Sequence, residues 1–172
     1  TLLAAIPLAA LAQTLNPAAQ RISDTAIHAD YQTYEATQGR IKALNEGGRR
    51  VRDYHLSKAQ CWLDVSFHEY TRNDRSAFPQ EALDQSVRLI ALMEQKASPL
   101  PVDTPLVNGA DKLRPDLWDA AEQWKTRDGF QCVAQRVSCA EVELVHAGNE
   151  HKQQAWRHAK PYVQIAEDLL GD

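Results

Sequence analysis

The residues best suited to hold a metal ion are histidines and glutamates in the last third of the chain. Of six histidines, His146 precedes Glu150 by four residues, which places two ligands on one helix face, and His151 follows. The His-Glu-x-x-His pattern of zinc enzymes is absent, and spacing identifies no third ligand. We therefore predict no metal site and interpret these residues as a solvated helix face. Three further candidates are interpreted as isolated: His68, Glu69 and His158.

Catalytic and phosphate-binding motifs are missing as well. A serine hydrolase places its nucleophile on a strand-to-helix turn, and the sequence predicts no strand. Gly47-Gly48 follows a predicted helix and lacks the remaining spacing of a phosphate-binding loop. A net charge of -4 disfavours a nucleic-acid surface, which needs clustered Lys and Arg. The sequence thus predicts a protein that is not an enzyme and has no cofactor, no catalytic residue and no nucleic-acid partner.

The three cysteines offer cross-linking chemistry. Cys132 and Cys139 are seven residues apart, which on a continuous helix is about 10.5 Å of rise. Because bridged Cα atoms lie within about 7 Å, this pair is excluded. Cys61 can then pair with either Cys132 or Cys139, and each bond would join the second predicted helix to the last. The alternative is that all three are reduced and buried.

Prolines and acidic residues mark where helices begin. Pro17, Pro79 and Pro115 occupy positions typical of a first helical residue, whose backbone N–H has no partner in the helix. Acidic side chains follow Pro79 and Pro115 within about a turn, where they favour the positive end of the helix dipole. With apolar residues at three- and four-residue spacing, these signals predict helices over 17–44, 50–71, 79–96, 115–128 and 130–170.

These elements predict an all-α fold, an antiparallel bundle of helical hairpins with a long C-terminal helix. Pro161 should kink that helix because it removes one backbone hydrogen bond and crowds the carbonyl of Arg157. Residues 97–114 are interrupted by proline and have no helical period, so we predict a surface connection rather than a binding loop. The four tryptophans fall among apolar neighbours and are expected to pack in the core or between helices.

The first twelve residues are uncharged and largely apolar. Such a run matches the hydrophobic core of a signal peptide and is shorter than the roughly 20 residues that span a bilayer. Pro7 argues against a buried helix instead. We predict a signal-peptide remnant over 1–12, cleavage between Ala12 and Gln13, and a mature periplasmic helical domain over 13–172 without a transmembrane helix.

Two stretches resemble a known family. Residues 155–168 (AWRHAKPYVQIAED) are similar to the helix that precedes the C-terminal domain in some OmpA-family outer-membrane proteins of proteobacteria. Residues 59–64 (AQCWLD), followed by Glu69-Tyr70 and residues 73–76 (NDRS), resemble the same proteins. The resemblance implies an exported helical region joined to a peptidoglycan-binding OmpA-like domain. We expect that domain beyond residue 172, so no peptidoglycan-binding residue is carried over.

The resemblance predicts a non-catalytic protein of the periplasm and outer membrane. Its helical region would be a spacer or docking module, and its partners would be envelope proteins or, through the C-terminal domain, peptidoglycan. The alternative is a free-standing periplasmic binding or chaperone-like protein that uses the loop from Ser98 to Pro115 or the tryptophan-bearing helix faces.

Overall fold

The computed structural model describes residues 14–171. Over this range it contains six α-helices, two single turns of 3₁₀-helix and no strand, which confirms the predicted all-α fold. The predicted signal segment, with Ala12 and Gln13, lies outside the described residues. The helices are α1 (Asp24–Glu46), α2 (Tyr54–Thr71), α3 (Phe78–Glu94), α4 (Pro115–Lys125), α5 (Phe130–Gln154) and α6 (Trp156–Leu170).

Side-chain caps set the beginnings of the first two helices. The Ser23 hydroxyl accepts a hydrogen bond from the backbone N–H of Ala26, and the Asp53 carboxylate accepts two from the start of α2. Both helices therefore begin later than predicted, and Pro17 precedes only a 3₁₀ turn over Ala18–Gln20. Pro79 and Pro115 do stand in the first turn of α3 and α4, as predicted.

Helices α1 and α2 form an antiparallel hairpin with buried polar contacts. The hydroxyls of Tyr34 and Ser66 are 2.8 Å apart, and one turn further along the Tyr70 hydroxyl donates to Asp30 at 2.7 Å. Residue numbers rise along one helix as they fall along the other, so the two helices run in opposite directions.

Helix α3 also packs against α2, and it contacts α1 as well. The hydroxyl of Ser66 donates to the carbonyl of Pro79 at 2.5 Å, and the hydroxyl of Ser86 donates to the carbonyl of Ala59 at 2.7 Å. These bonds make α2 and α3 a second antiparallel hairpin, and α2 becomes the shared central helix.

Helices α2 and α5 run in the same direction. Ser57 and Ser138 are in hydrogen-bond contact at 3.0 Å, and Glu69 lies 2.8 Å from His146. Both residue numbers rise together along this contact. A parallel pair needs a long connection, and α3, the loop over 95–114 and α4 supply it.

A disulfide crosses this parallel contact. Cys61 on α2 is bonded to Cys139 on α5, with Cα atoms 5.5 Å apart. Cys132 is a free, exposed thiol. The structure thus selects one of the two pairings that the spacing left open, and the expected link from the second helix to the C-terminal helical region is confirmed.

The C-terminal region is two helices rather than one. The chain leaves the helix at Ala155, with φ 61° and ψ -171°, and α6 folds back along α5. A continuous helix over 130–170 would be about 60 Å long. The reversal instead buries one face of α6 within the bundle, formed by Ala159, Val163, Ala166 and Leu170. The break therefore occurs at Ala155, six residues before Pro161, which lies inside α6.

The connection over 97–114 packs against the bundle and is not the plain surface segment that the sequence predicted. Val107 and Ala110 are buried. The backbone N–H of Asn108 donates to Glu81 on α3, and its amide donates to Asn149 on α5 at 2.9 Å. The proline spacing could not indicate these contacts, because they depend on side chains from two distant helices.

Gly148 on α5 makes the close approach of this connection possible. The backbone N–H of Asp111 donates to the Gly148 carbonyl at 3.2 Å. A Cβ atom added at Gly148 would lie 2.0 Å from the carbonyl oxygen of Asp111. Only glycine fits at this crossing.

The hydrophobic core is contributed by all six described helices. Trp62 and Trp118 are buried in it, as the sequence predicted for tryptophans, whereas Trp156 is about half exposed. Among residues 14–171, no helix is both long enough and apolar enough to cross a membrane.

The strained backbone at Ala155 gives a test of the helix break. Its φ and ψ lie in a region that is essentially restricted to glycine and that costs other residues about 1–3 kcal/mol. We expect Ala155→Gly to raise the free energy of unfolding by about 1 kcal/mol, measured by urea denaturation.

A matched control is Ala36→Gly, at an exposed position in the middle of α1. There glycine should lower the free energy of unfolding by about 1 kcal/mol, because the helical backbone loses more entropy on folding. Equal destabilisation by both substitutions would contradict the break at Ala155.

Candidate functional site

Two clusters of buried ionisable side chains lie along the contact between α2 and α5. The first surrounds Lys58, whose side chain is 0% exposed. Its ammonium group has three N–H donors and lies 2.6–3.3 Å from five oxygens: the side chains of Tyr54, Thr104 and Glu141 and the backbone carbonyls of Val102 and Asp103.

The carboxylate of Glu141 also has several hydrogen-bond partners. It accepts hydrogen bonds from Tyr54 at 2.5 Å, from Lys58 at 3.1 Å and from Lys125 at 2.8 Å. Burial lowers the pKa of Lys58, while the neighbouring carboxylate opposes that shift. Every charge in this cluster has a partner, so the cluster is structural.

The second cluster surrounds His146 on α5, which is 2% exposed. Its Nε2 is 2.8 Å from Glu69 on α2, and its Nδ1 is 3.1 Å from Glu143 on α5. Burial favours the neutral ring, but the hydrogen bonds to Glu143 and Glu69 outweigh it and raise the pKa of His146 to about 8. Two carboxylates thus hold both ring nitrogens in place.

His68 extends this histidine cluster to the surface. Its Nε2 is 3.7 Å from the Glu69 carboxylate, 3.0 Å from the Tyr162 hydroxyl on α6 and 3.5 Å from the Arg72 guanidinium. Burial and the neighbouring His146 lower the pKa of His68. A neutral ring that faces these donors presents a nitrogen lone pair to the cluster.

Glu150 has an unsatisfied carboxylate oxygen next to Glu69. The residue is 1% exposed, and its Oε2 has no hydrogen-bond partner among the described residues. The nearest basic atom to that oxygen is Nδ1 of His158, at 3.8 Å. Burial, then the charge of Glu69 and a hydrogen bond between the two carboxyl groups, raise the pKa of Glu150. This carboxylate distinguishes the histidine cluster from the saturated lysine cluster.

A small polar cavity opens onto these carboxylates. It has a volume of about 250 Å³, and its lining includes Glu69, Arg72, Asp74 and Glu150. The cavity therefore lies beside the carboxylates of Glu69 and Glu150, which are themselves 2% and 1% exposed.

One set of metal-type donor atoms converges within residues 14–171. Nitrogens of His68 and His146 and a carboxylate oxygen of Glu69 all lie within 4.8 Å of one another. His151 is outside this group, with its Nδ1 2.7 Å from Asp111. The absence of a metal site stays a prediction. The fold nevertheless brings His68 and Glu69 of α2 next to His146, which the sequence spacing did not indicate.

The prediction of a solvated face for His146 and Glu150 was wrong, because both are buried. Likewise, His68 and Glu69 are not isolated in space. The sequence held one usable signal: His146 is flanked by Val145, Ala147 and Gly148, and a helix stretch that is apolar on several sides is typically buried.

Comparison of the chain with family models, with curated proteins and with solved structures found no match.

Loss of the Lys58 ammonium group should destabilise the fold. Lys58→Met removes the cation that neutralises Glu141 and leaves this carboxylate with Lys125 as its remaining cation. We expect a loss of roughly 3 kcal/mol in the free energy of unfolding, measured by urea denaturation of the oxidised protein.

Lys42→Met is the matched control. Lys42 pairs with Glu46 across one turn of α1 at 3.6 Å, and both side chains are largely exposed. Its substitution should change the free energy of unfolding by less than about 0.5 kcal/mol. Similar effects of the two substitutions would contradict a buried, charge-paired Lys58.

Proposed function

We propose that this chain is the helical module of an exported, non-catalytic cell-envelope protein. In this proposal it acts as a spacer or docking region ahead of a peptidoglycan-binding OmpA-like domain. The observation that carries the proposal is the Cys61–Cys139 disulfide. Structural disulfides persist in oxidising compartments such as the periplasm and are rare in the cytosol.

Two features of the sequence support the same proposal. The apolar segment over 1–12 has the length of a signal-peptide core. The similarity of residues 155–168 to the helix that precedes OmpA-like domains supports an OmpA-like domain that follows α6.

The packing of α6 suggests how such a module would work. Val163 and Leu170 on the inner face of α6 are buried in the bundle, and Glu167 pairs with Arg114 at the start of α4. A domain attached after α6 would therefore be held by a fixed helix rather than a flexible linker. A rigid attachment suits a spacer, because it transmits the position of the wall-binding domain to the bundle.

One observation favours a second candidate, a free-standing periplasmic binding protein. Tyr31 on α1 and Phe67 on α2 are each 39% exposed and line a groove of about 370 Å³. Exposed aromatic side chains are common where proteins dock. The loop from Ser98 to Pro115 is held against α3 and α5, so this groove is the better location for a binding surface.

Export can be tested by fractionating cells that express the complete reading frame. We expect the protein in the periplasmic or outer-membrane fraction, with an N-terminus at Gln13 by mass spectrometry. An Ala12→Phe substitution should block processing while leaving the rest of the signal intact, because signal peptidase requires a small residue there. Uncleaved protein in the cytosol with reduced Cys61 would contradict the proposal.

The two candidates differ in the sequence that they require after residue 172 of that reading frame. A continuation into an OmpA-like domain is the expected result for the spacer. A stop codon directly after Asp172 would contradict the spacer and favour the free-standing protein.

A further inference from the structure

We propose that His68, Glu69 and His146 bind one divalent transition-metal ion of the zinc type. This inference is independent of where the protein acts in the cell. It rests on the geometry of the histidine cluster and on the orphaned carboxylate oxygen beside it.

The donor atoms have the spacing that a metal ion needs after a small adjustment. Around tetrahedral zinc, with bonds of about 2.0–2.1 Å, ligand atoms are roughly 3.4 Å apart. The Glu69 oxygen is 2.8 Å from Nε2 of His146 and 3.7 Å from Nε2 of His68, so one distance is shorter than ideal and the other longer. Side-chain shifts of about half an ångström, within the freedom of the torsion angles inside one rotamer, would bring both distances to about 3.4 Å.

The buried histidine is oriented for this role by a second carboxylate. Glu143 lies 3.1 Å from Nδ1 of His146 and thereby directs Nε2 towards Glu69. Histidines that bind metals usually donate their other ring N–H to a carboxylate, which fixes the tautomer and the ring plane. Glu69 and His68 are neighbours on α2, so two helices supply all three ligands.

Glu150 supplies the independent observation. Its Oε2 is buried without a hydrogen-bond partner among the described residues, and Glu150 and Glu69 both line the polar cavity. A buried carboxylate oxygen without a donor is costly. Glu69 and Glu143 also place two carboxylates at the ring nitrogens of His146, and a divalent cation would compensate their charge.

The side chains that contact the proposed ligand His68 can move aside when an ion binds. Tyr162 and Arg72 reach Nε2 of His68 at 3.0 Å and 3.5 Å. The side chains of His68 and Arg72 are 47% and 40% exposed, so Arg72 can turn into solvent as an ion enters. The proton on Nε2 of His146 would be released as the ion binds, and the ion would then hold three protein ligands and leave a fourth position for water.

The donor set indicates which metals fit. Two imidazole nitrogens and one carboxylate oxygen suit Zn²⁺ and its transition-metal neighbours. Ca²⁺ and Mg²⁺ prefer oxygen ligands and should not compete.

The test is calorimetric titration of the chelator-stripped full chain with Zn²⁺, with the absorption spectrum of bound Co²⁺ as a second readout. The protein should carry no affinity tag and should contain Cys132→Ser, because the free thiol at Cys132 could bind zinc itself. We expect saturation at one ion per chain, no displacement by excess Mg²⁺ or Ca²⁺, and a tetrahedral Co²⁺ spectrum. Lack of saturable Zn²⁺ binding would overturn the proposal.

His68→Ala and His28→Ala form a matched pair. Both histidines are exposed on helices, but His28 lies on α1 outside the cluster. Loss of one of three ligands in His68→Ala should weaken binding by at least about a hundredfold, because loss of an outer-shell partner alone weakens it by about 10–100-fold. His28→Ala should bind as the parent does. Equal affinity of the two variants, both shown to be folded by circular dichroism, would overturn the assignment.

Arg72→Gln distinguishes metal binding from a purely structural role of the cluster. Its guanidinium is 4.0 Å from the Glu69 oxygen, so it competes with a cation for the same carboxylate. Removing this charge should strengthen Zn²⁺ binding roughly tenfold, as expected for a like charge a few ångströms away. Weaker binding by this variant would place the ion elsewhere.

Discussion

The parallel contact between α2 and α5 is the constraint on which the rest of the structure depends. It is cross-linked by Cys61–Cys139 and also contains the buried Lys58–Glu141 and Glu69–His146 pairs. Sliding one helix along the other would separate these pairs, and a buried charge without its partner costs several kcal/mol. The polar pairs therefore fix the register of the two helices. The disulfide closes a separation of 78 residues and contributes about 4 kcal/mol by the chain-entropy model.

Other elements are arranged around this contact. The helices α1 and α3 pair with α2 as antiparallel hairpins, and α6 folds back on α5 at Ala155. The connection before α4 crosses α5 at Gly148, where a side chain would collide with the backbone of Asp111. The packed helices form a rigid module, which the proposed envelope role requires. The same bundle contains the histidine cluster, where α2, α5 and α6 meet. If an ion binds there, it would tie α2 to α5 at a second point beyond the disulfide.

Local signals in the sequence predicted the helical class and several boundaries. Pro79 and Pro115 located the starts of α3 and α4, because a proline in the first helical turn acts through its own backbone geometry. Features that depend on distant residues were not predictable in the same way. The choice of Cys139 over Cys132 as partner of Cys61 depends on how α5 faces α2. The burial of His146 beside Glu69 requires a contact 77 residues apart in the chain. The reversal at Ala155 lacks the glycine that usually marks such a turn, so the local pattern favours an irregularity at Pro161 instead.

The register of α2 against α5 is tested most directly by mapping the cross-link in unreduced protein. After alkylation of free thiols and proteolysis, mass spectrometry should find one linked peptide pair that contains Cys61 and Cys139, with Cys132 alkylated. A pair that joins Cys61 to Cys132 would rotate and shift α5 relative to α2, and would contradict the register. Three alkylated cysteines in protein from an oxidising compartment would contradict the cross-link itself.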